Sequence, residues 1–282
     1  MPLHTLRKYR TLLLVLCLAA CVLALGGCSK IEEVRDTLDP ASKLDVDYGM
    51  TVIDADEPDL TIGIVVTNNS DKVATRLELE LKPCDAEGEV ISVKDAKEDE
   101  YKPATQIIEV PYVMPGEKAG ALANDFFDVA EAPDHMDVTI KNVEWKDVSE
   151  IPEGDVTITD FSYTPGTDLA YASLKNTTGF TYDINDLLQQ YWVNINIIGY
   201  DEDGKIVGGD FCSVQYLGPD SETSEEVYLD GKLSKTGAVT VEPYVQRIEF
   251  QPESGAIYYD NNGKEYTAEE VEEYYKNKNQ NQ

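Results

Sequence analysis

The chain has 282 residues, enough for about two domains, and 42% of them are hydrophobic, so packed cores are expected and global disorder is excluded. A formal net charge of −31 repels phosphate backbones and anionic headgroups, which excludes nucleic acid as a partner and a basic patch as a membrane contact. The same charge has a plainer consequence: it keeps an exported protein soluble.

The chain opens on a positive stretch, His4, Arg7, Lys8 and Arg10. Thr11 to Leu25 follows as an apolar run of about 15 residues, too short for a comfortable membrane span. Leu25-Gly26-Gly27-Cys28 closes it with small residues, which let a peptidase approach the backbone closely. This resembles the lipobox of bacterial lipoproteins, with Leu25 at the third position before the cut and Gly26 a less usual occupant of the next. The resemblance implies that residues 1–27 are a signal peptide cleaved between Gly27 and Cys28. It also implies diacylglycerol on the Cys28 thiol and a new amine open to acylation. Two or three acyl chains anchor stably where one would not, so the expected location is the cell membrane, lipid-anchored on the extracytoplasmic side. An ordinary cleaved signal with a chance cysteine is the competing reading. Arg7, Lys8 and Arg10 leave with the signal and no acidic residue does, so the mature part is more acidic still. Residues 28–43 read as the lipidated cysteine and a polar tether, with room for one helical turn ending at Pro40.

Of the 5 cysteines, Cys17 and Cys21 lie in the signal and Cys28 is the anchor. Cys84 and Cys212 remain. They are not a disulfide framework but either two separate buried thiols or one interdomain bridge.

From about Leu44 the pattern becomes alternation of period two. Leu77, Leu79 and Leu81 share one face of Arg76 to Lys82 and charges take the other, as in a strand half in core and half in water. Leu60, Ile62, Ile64 and Val66 alternate likewise before the turn residues Asn68-Asn69-Ser70. Asp85-Ala86-Glu87-Gly88 closes a hairpin in which Gly88 takes positive φ. Lys94 to Glu100 reads as a solvated loop.

The second half repeats this order. Leu174-Lys175-Asn176-Thr177-Thr178 answers Val66 to Ser70, and Val193, Ile195 and Ile197 answer the three leucines. Asp201-Glu202-Asp203-Gly204 answers Asp85 to Gly88, and Pro219-Asp220 answers Pro115-Gly116. An insertion, Gly179 to Gln190, separates the first two matches and contains Asn185 to Leu188 as a helical turn. Ile140 to Trp145 answers Val245 to Phe250, and both switch alternation phase at the same place, as a shared β-bulge requires. The expected fold class is therefore all-β: two tandem antiparallel β-sandwiches, residues 44–150 and 151–252, joined near Ser149 to Gly154. Asn68 and Asn176 are expected to cap turns through their side chains.

The second copy resembles the FxLYD family, an immunoglobulin-like β-sandwich of bacterial surface lipoproteins. The naming motif falls on Ile197-Ile198-Gly199-Tyr200-Asp201, followed by Gly204-Lys205-Ile206-Val207 and Leu217-Gly218-Pro219. Ile197 stands where the family has Phe and Gly199 where it has Leu; of Leu81-Lys82-Pro83-Cys84-Asp85 in the first copy, only the Asp is the family residue. The resemblance implies immunoglobulin-like, non-catalytic modules and carries no catalytic residues. Residues 253–282 add a small hairpin around Asp260-Asn261-Asn262-Gly263 and a helix from about Ala268 to Tyr275. The helix opens on the capping-box signature Thr267-Ala268-Glu269-Glu270, and Lys276 to Gln282 reads as a disordered tail. Tyr258, Tyr259, Tyr274 and Tyr275 either pack on the second sandwich or form an exposed aromatic surface.

The sequence holds little that chemistry can be built on. His135 is the one histidine left after cleavage, and no Cys or Ser is placed near it by sequence. No His/Cys pair has zinc spacing, and no glycine loop has phosphate-binding form. Asp54 to Glu57 and Asp201 to Gly204 crowd oxygens, but neither matches the twelve-residue calcium loop with its terminal Glu. The expectation is thus no catalytic residue, no metal and no cofactor beyond the covalent lipid on Cys28. The leading functional reading is a membrane-anchored surface lipoprotein whose two modules bind an envelope protein or ligand. A structural spacer of the envelope is the alternative, and a hydrolase the third. Tyr182, Tyr191 and Trp192, in or beside the insertion, are the candidate partner-contact residues.

Overall fold

A computed structural model describes residues 40–54, 59–95, 100–123, 131–151, 153–183, 191–229, 231–249, 252, 254–260 and 263–279. The signal peptide and Cys28 lie outside the described residues, as does the expected helical turn Asn185 to Leu188. The chain divides into two units, Met1–Lys43 and Leu44–Gln282. In the first, the described part is a 3-10 turn, Pro40–Lys43. A turn therefore begins at the proline, which fits a first helical position because its missing N–H donor is not needed there.

The second unit is all-β, apart from short 3-10 turns and one terminal helix. Its first half runs β1 (Leu44–Asp54), β2 (Asp59–Asn68), β3 (Val73–Cys84), β4 (Ser92–Asp95), β5 (Glu100–Pro103), β6 (Gln106–Val113), β7 (Lys118–Leu122) and β8 (His135–Lys146). The second half runs β9 (Val156–Tyr163), β10 (Leu169–Asn176), β11 (Tyr182–Asp183), β12 (Tyr191–Tyr200), β13 (Ile206–Ser213), β14 (Tyr216–Leu217), β15 (Glu222–Tyr228) and β16 (Thr240–Glu249). Sheets β1-β2-β7 and β6-β3-β8 sandwich one core; β9-β10-β15 and β13-β12-β16 sandwich another in the same relative order. All of these pairings are antiparallel. Lys94, Asp95 and Glu100, read from sequence as loop, belong to the small hairpin β4-β5.

Period-two alternation explains the outer sheets. Leu77, Leu79 and Leu81 are fully buried against Leu60, Ile62, Ile64 and Val66, while Glu78 and Glu80 face outward. The inner sheets are different. β2 is buried along nearly its whole length, because Thr61, Gly63 and Val65 on its second face meet β13. Val65, Ile198 and Tyr244 form a third core with Leu122, Tyr200 and Ile206 around them. The unit is thus four stacked sheets, with β1-β2-β7 packed face to face on β13-β12-β16. Glycines permit the approach: a Cβ at Gly63 would lie 2.4 Å from the Gly208 carbonyl oxygen, and one at Gly49 would lie 1.7 Å from that of Ile206. Thr61 is wholly buried and both donates to Gly209 O (2.5 Å) and accepts from Gly209 N (3.0 Å).

The repeat extends to individual hydrogen bonds. Asn68 Nδ2 donates to Lys72 O and Val113 O (both 2.8 Å), while its Oδ1 accepts from Ser70 N and Ser70 Oγ. Asn176 Nδ2 donates to Phe180 O (2.8 Å) and Gly218 O (2.7 Å), while its Oδ1 accepts from Thr178 N and Thr178 Oγ1. Both amides are buried, so each pins a turn to a neighbouring strand.

The shared bulge does not hold. In β8 the register against β3 shifts at Lys141, an extra residue between Asn142 and Ile140, which resets the phase as expected; a second shift sets Arg76, at φ 46°, and Leu77 against Val143 alone. In β16 the ladder against β12 runs without a break from Thr240 to Glu249. The mixed pattern of β16 has another cause: it is an inner strand with both faces covered, Val241 and Val245 toward the second core and Tyr244 toward the first half.

After β16, β17 (Ile257–Tyr259) and β18 (Glu265–Thr267) form a hairpin followed by α1 (Ala268–Asn279). Thr267 and Glu270 make the reciprocal capping pair, Glu270 N to Thr267 Oγ1 (3.3 Å) and Thr267 N to Glu270 Oε2 (2.8 Å). The helix outlasts the expected end at Tyr275, so the start of the expected disordered tail is helical instead. Val271 and Tyr275 bury against Tyr258 and Tyr266 of the hairpin, and these contacts extend the ordered face along the helix. Tyr259 and Tyr274 remain exposed.

Candidate functional site

A cleft of about 460 Å³ opens where the two sandwiches meet beside their connection. Its walls come from both copies: Pro111 and Tyr112 of β6, Arg76 of β3, Phe180 and Tyr182, Tyr191 opening β12, and Gln246 to Ile248 closing β16. This is the size of a small-ligand site, and its lining mixes aromatic rings with charge as such sites do. Phe180 and Tyr191 meet in a tilted pair, 4.6 Å between ring centroids and 50° between planes. Three cations, Arg76, Lys146 and Arg247, face three carboxylates, Glu109, Glu144 and Glu150.

Arg247 is the unusual member. Because no bulge resets β16, regular alternation carries Arg247 to the side of Val245, and only 10% of its side chain is exposed. The guanidinium lies 4.8 Å over the Tyr112 ring, and its nearest carboxylate, Asp155 Oδ1, is 3.6 Å from Nε. That separation is too long for a hydrogen bond, and the buried Nε has no partner among the described residues. Burial pulls the Arg247 pKa down to about 10 and raises that of Asp155. Arg247 is thus a buried cation whose only close carboxylate among the described residues, on the half-exposed Asp155, sits too far away for a hydrogen bond and compensates it incompletely. Glu144 is held by Arg76 at 3.6 Å, and Glu150 Oε2 accepts from Asp147 N at 2.7 Å.

The three candidate contact residues separate. Tyr182 is 1% exposed; it packs in the second core with its hydroxyl near Thr178 Oγ1, so it is floor and core, not a surface contact. Tyr191 lines the cleft. Trp192 follows it on the same strand and must point to the other face, where it is half-buried opposite Ile248 in the ladder. Sequence reasoning missed Arg247, because the expected bulge placed it level with the exposed Asn142.

His135 and Cys84 prove to be cross-strand neighbours on β8 and β3, which sequence could not place. They do not form a nucleophile pair. Burial, followed by the charge of Asp137, pushes the Cys84 thiol pKa up, the reverse of what an activated thiolate needs. His135 is exposed, with Nδ1 3.2 Å from Asp134 Oδ2. Cys84 and Cys212 do not form a disulfide with each other. The acidic turns are explained by local bonding: Asp201 Oδ1 accepts from Asp203 N and Lys205 N, as Asp85 Oδ1 does from Glu87 N and Glu89 N. Among the described residues no group of His, Cys, Asp and Glu is arranged to hold a metal ion, and no helix is long and apolar enough to cross a membrane.

Ile197 to Tyr200, at the end of β12, have packing roles. Ile197 sits in the second core, Ile198 in the third, and Tyr200 reaches Glu242 at 3.2 Å. A Cβ at Gly199 would stand 2.5 Å from Leu233 Cδ1, so the packing of Leu233 leaves no room for a side chain there. No family model and no curated protein matches the chain.

Proposed function

We propose that this chain is a lipid-anchored, non-catalytic binding protein, held on the extracytoplasmic face of the cell membrane through Cys28 and presenting two immunoglobulin-like modules of FxLYD type. The observation that carries binding is the cleft, with a buried and incompletely bonded guanidinium on its wall. Keeping such a group is costly to the fold, and groups of this kind cluster at functional sites. The absence of catalysis is supported by the raised Cys84 thiol and by the exposed, loosely held His135. The anchor is supported by Leu25-Gly26-Gly27-Cys28 after its apolar run. A spacer role has one observation in its favour, the four-sheet stack, in which glycines bring the backbones of the two inner sheets close together.

Two measurements test this reading. Cys28→Ala is expected to abolish metabolic fatty-acid labelling and to move the protein off the membrane; undiminished labelling sinks the anchor. Affinity capture from native envelope with the full-length protein should retain material that a Tyr191→Leu variant loses, whereas a pure spacer retains nothing sensitive to the cleft.

A further inference from the structure

We propose that the cleft is a site for a zwitterion, an amino acid or short peptide with an apolar side chain, whose carboxylate is taken by Arg247 and whose ammonium meets the acidic side of the lining. This rests on the reading of the chain as a binding protein and names its ligand class.

Three observations converge. The first is Arg247, nine-tenths buried with Nε lacking a hydrogen-bond partner among the described residues. A planar fork of N–H donors is matched by a carboxylate, which takes two parallel hydrogen bonds where a chloride or a neutral carbonyl takes one. Tyr112 fixes the guanidinium plane from one side, at 4.8 Å, so the fork is oriented before any ligand arrives. The second is charge balance. The lining carries as many carboxylates as cations in a chain whose net charge is −31. A net anion must enter against that field, and once inside it meets the carboxylates; a molecule carrying both charges meets neither penalty. The third is the aromatic pair Phe180 and Tyr191, a ready contact for an apolar side chain. At about 460 Å³ the cleft takes one residue or a short peptide.

The test uses full-length protein in detergent, dialysed to equilibrium against a mixture of the common amino acids and apolar dipeptides, with both compartments read by mass spectrometry. Wild type is expected to retain a subset of these zwitterions unchanged. The N-acetyl and amide derivatives of any retained compound should lose affinity, because each lacks one of the two charges. Arg247→Met should weaken retention about tenfold or more while keeping native circular dichroism and a wild-type melt, since it removes a buried cation and leaves an apolar side chain of similar length. Tyr191→Leu, which leaves the charges in place, should weaken retention of compounds with aromatic side chains most. Retention that neither variant alters, equal binding of the N-acetyl derivative, or no retained zwitterion overturns the inference and leaves the binding-protein reading standing. Conversion of the dipeptides into amino acids overturns the binding-protein reading itself.

Discussion

Two buried asparagines show how much one side chain can carry. Asn68 and Asn176 each donate twice and accept twice, and each joins its turn to distant backbone: Asn68 to Val113 at the end of β6, and Asn176 to Gly218 just after β14. Truncating either to Ala removes its four hydrogen bonds, including the one to a buried carbonyl (Val113 O or Gly218 O), at a cost of about 1–3 kcal/mol. Urea denaturation of Asn68→Ala and Asn176→Ala is expected to show losses of this size for both. A loss below about 0.5 kcal/mol for either would mean that water replaces the amide there and that the turn does not depend on it. Arg247 is the opposite case: its polar group is buried with part of its bonding capacity unused, so its retention points to use and not to stability.

At the level of elements, the inner strands carry two jobs on alternate residues. Along β2, Leu60, Ile62 and Ile64 fill the first core, and Thr61, Gly63 and Val65 dock the neighbouring sandwich. Gly63 leaves room for the β13 backbone, so Gly63→Ala must push the sheets apart or distort one of them. It is expected to lower stability by about 1–3 kcal/mol. Gly179→Ala, with open space around its Cβ position and no positive φ, is the matched control and should be close to neutral. Equal urea midpoints for the two variants would show that the sheets are not held in close contact. The same doubling of roles explains β16, where coverage of both faces blurs the alternation that a half-exposed strand displays.

Across the whole molecule, stacking two sandwiches through unlike sheets uses the front of one copy and the back of the other. It leaves the charged face of β6-β3-β8 and the outer face of β9-β10-β15 free, and it creates the cleft at the seam. It also buries the hydroxyls of Tyr200 and Tyr244, while the second core buries that of Tyr182. Burial is the main cause that raises the pKa values of Tyr182, Tyr200 and Tyr244, and Tyr200 and Tyr244 lie 3.4 Å apart at the seam. A phenol whose folded-state pKa is raised stabilises the fold fully below its unfolded value near pH 10. That contribution is lost as pH rises further, since the unfolded chain then releases protons that the folded chain holds. Tyrosinate absorbance is therefore expected to appear in two stages, exposed rings first and these three only together with loss of β-sheet circular dichroism. A single stage at the ordinary tyrosine value with the sheet signal intact would show that the seam is open to water.

Sequence by itself determined whatever depends on neighbours along the chain. Alternation placed Leu77, Leu79 and Leu81 inward, Asp-x-x-Gly set the hairpin turns, Thr267 and Glu270 marked the start of a helix, and the internal repeat announced two copies of one pattern. Tertiary structure alone decided what depends on contacts across the chain. Which sheet of one copy meets which of the other cannot be read locally, because a strand covered on both faces loses the alternation that would report its orientation. For that reason Tyr182 became core, Tyr191 parted from Trp192, and Arg247, legible in sequence only as a charge in a strand, became the buried cation on the wall of the cleft.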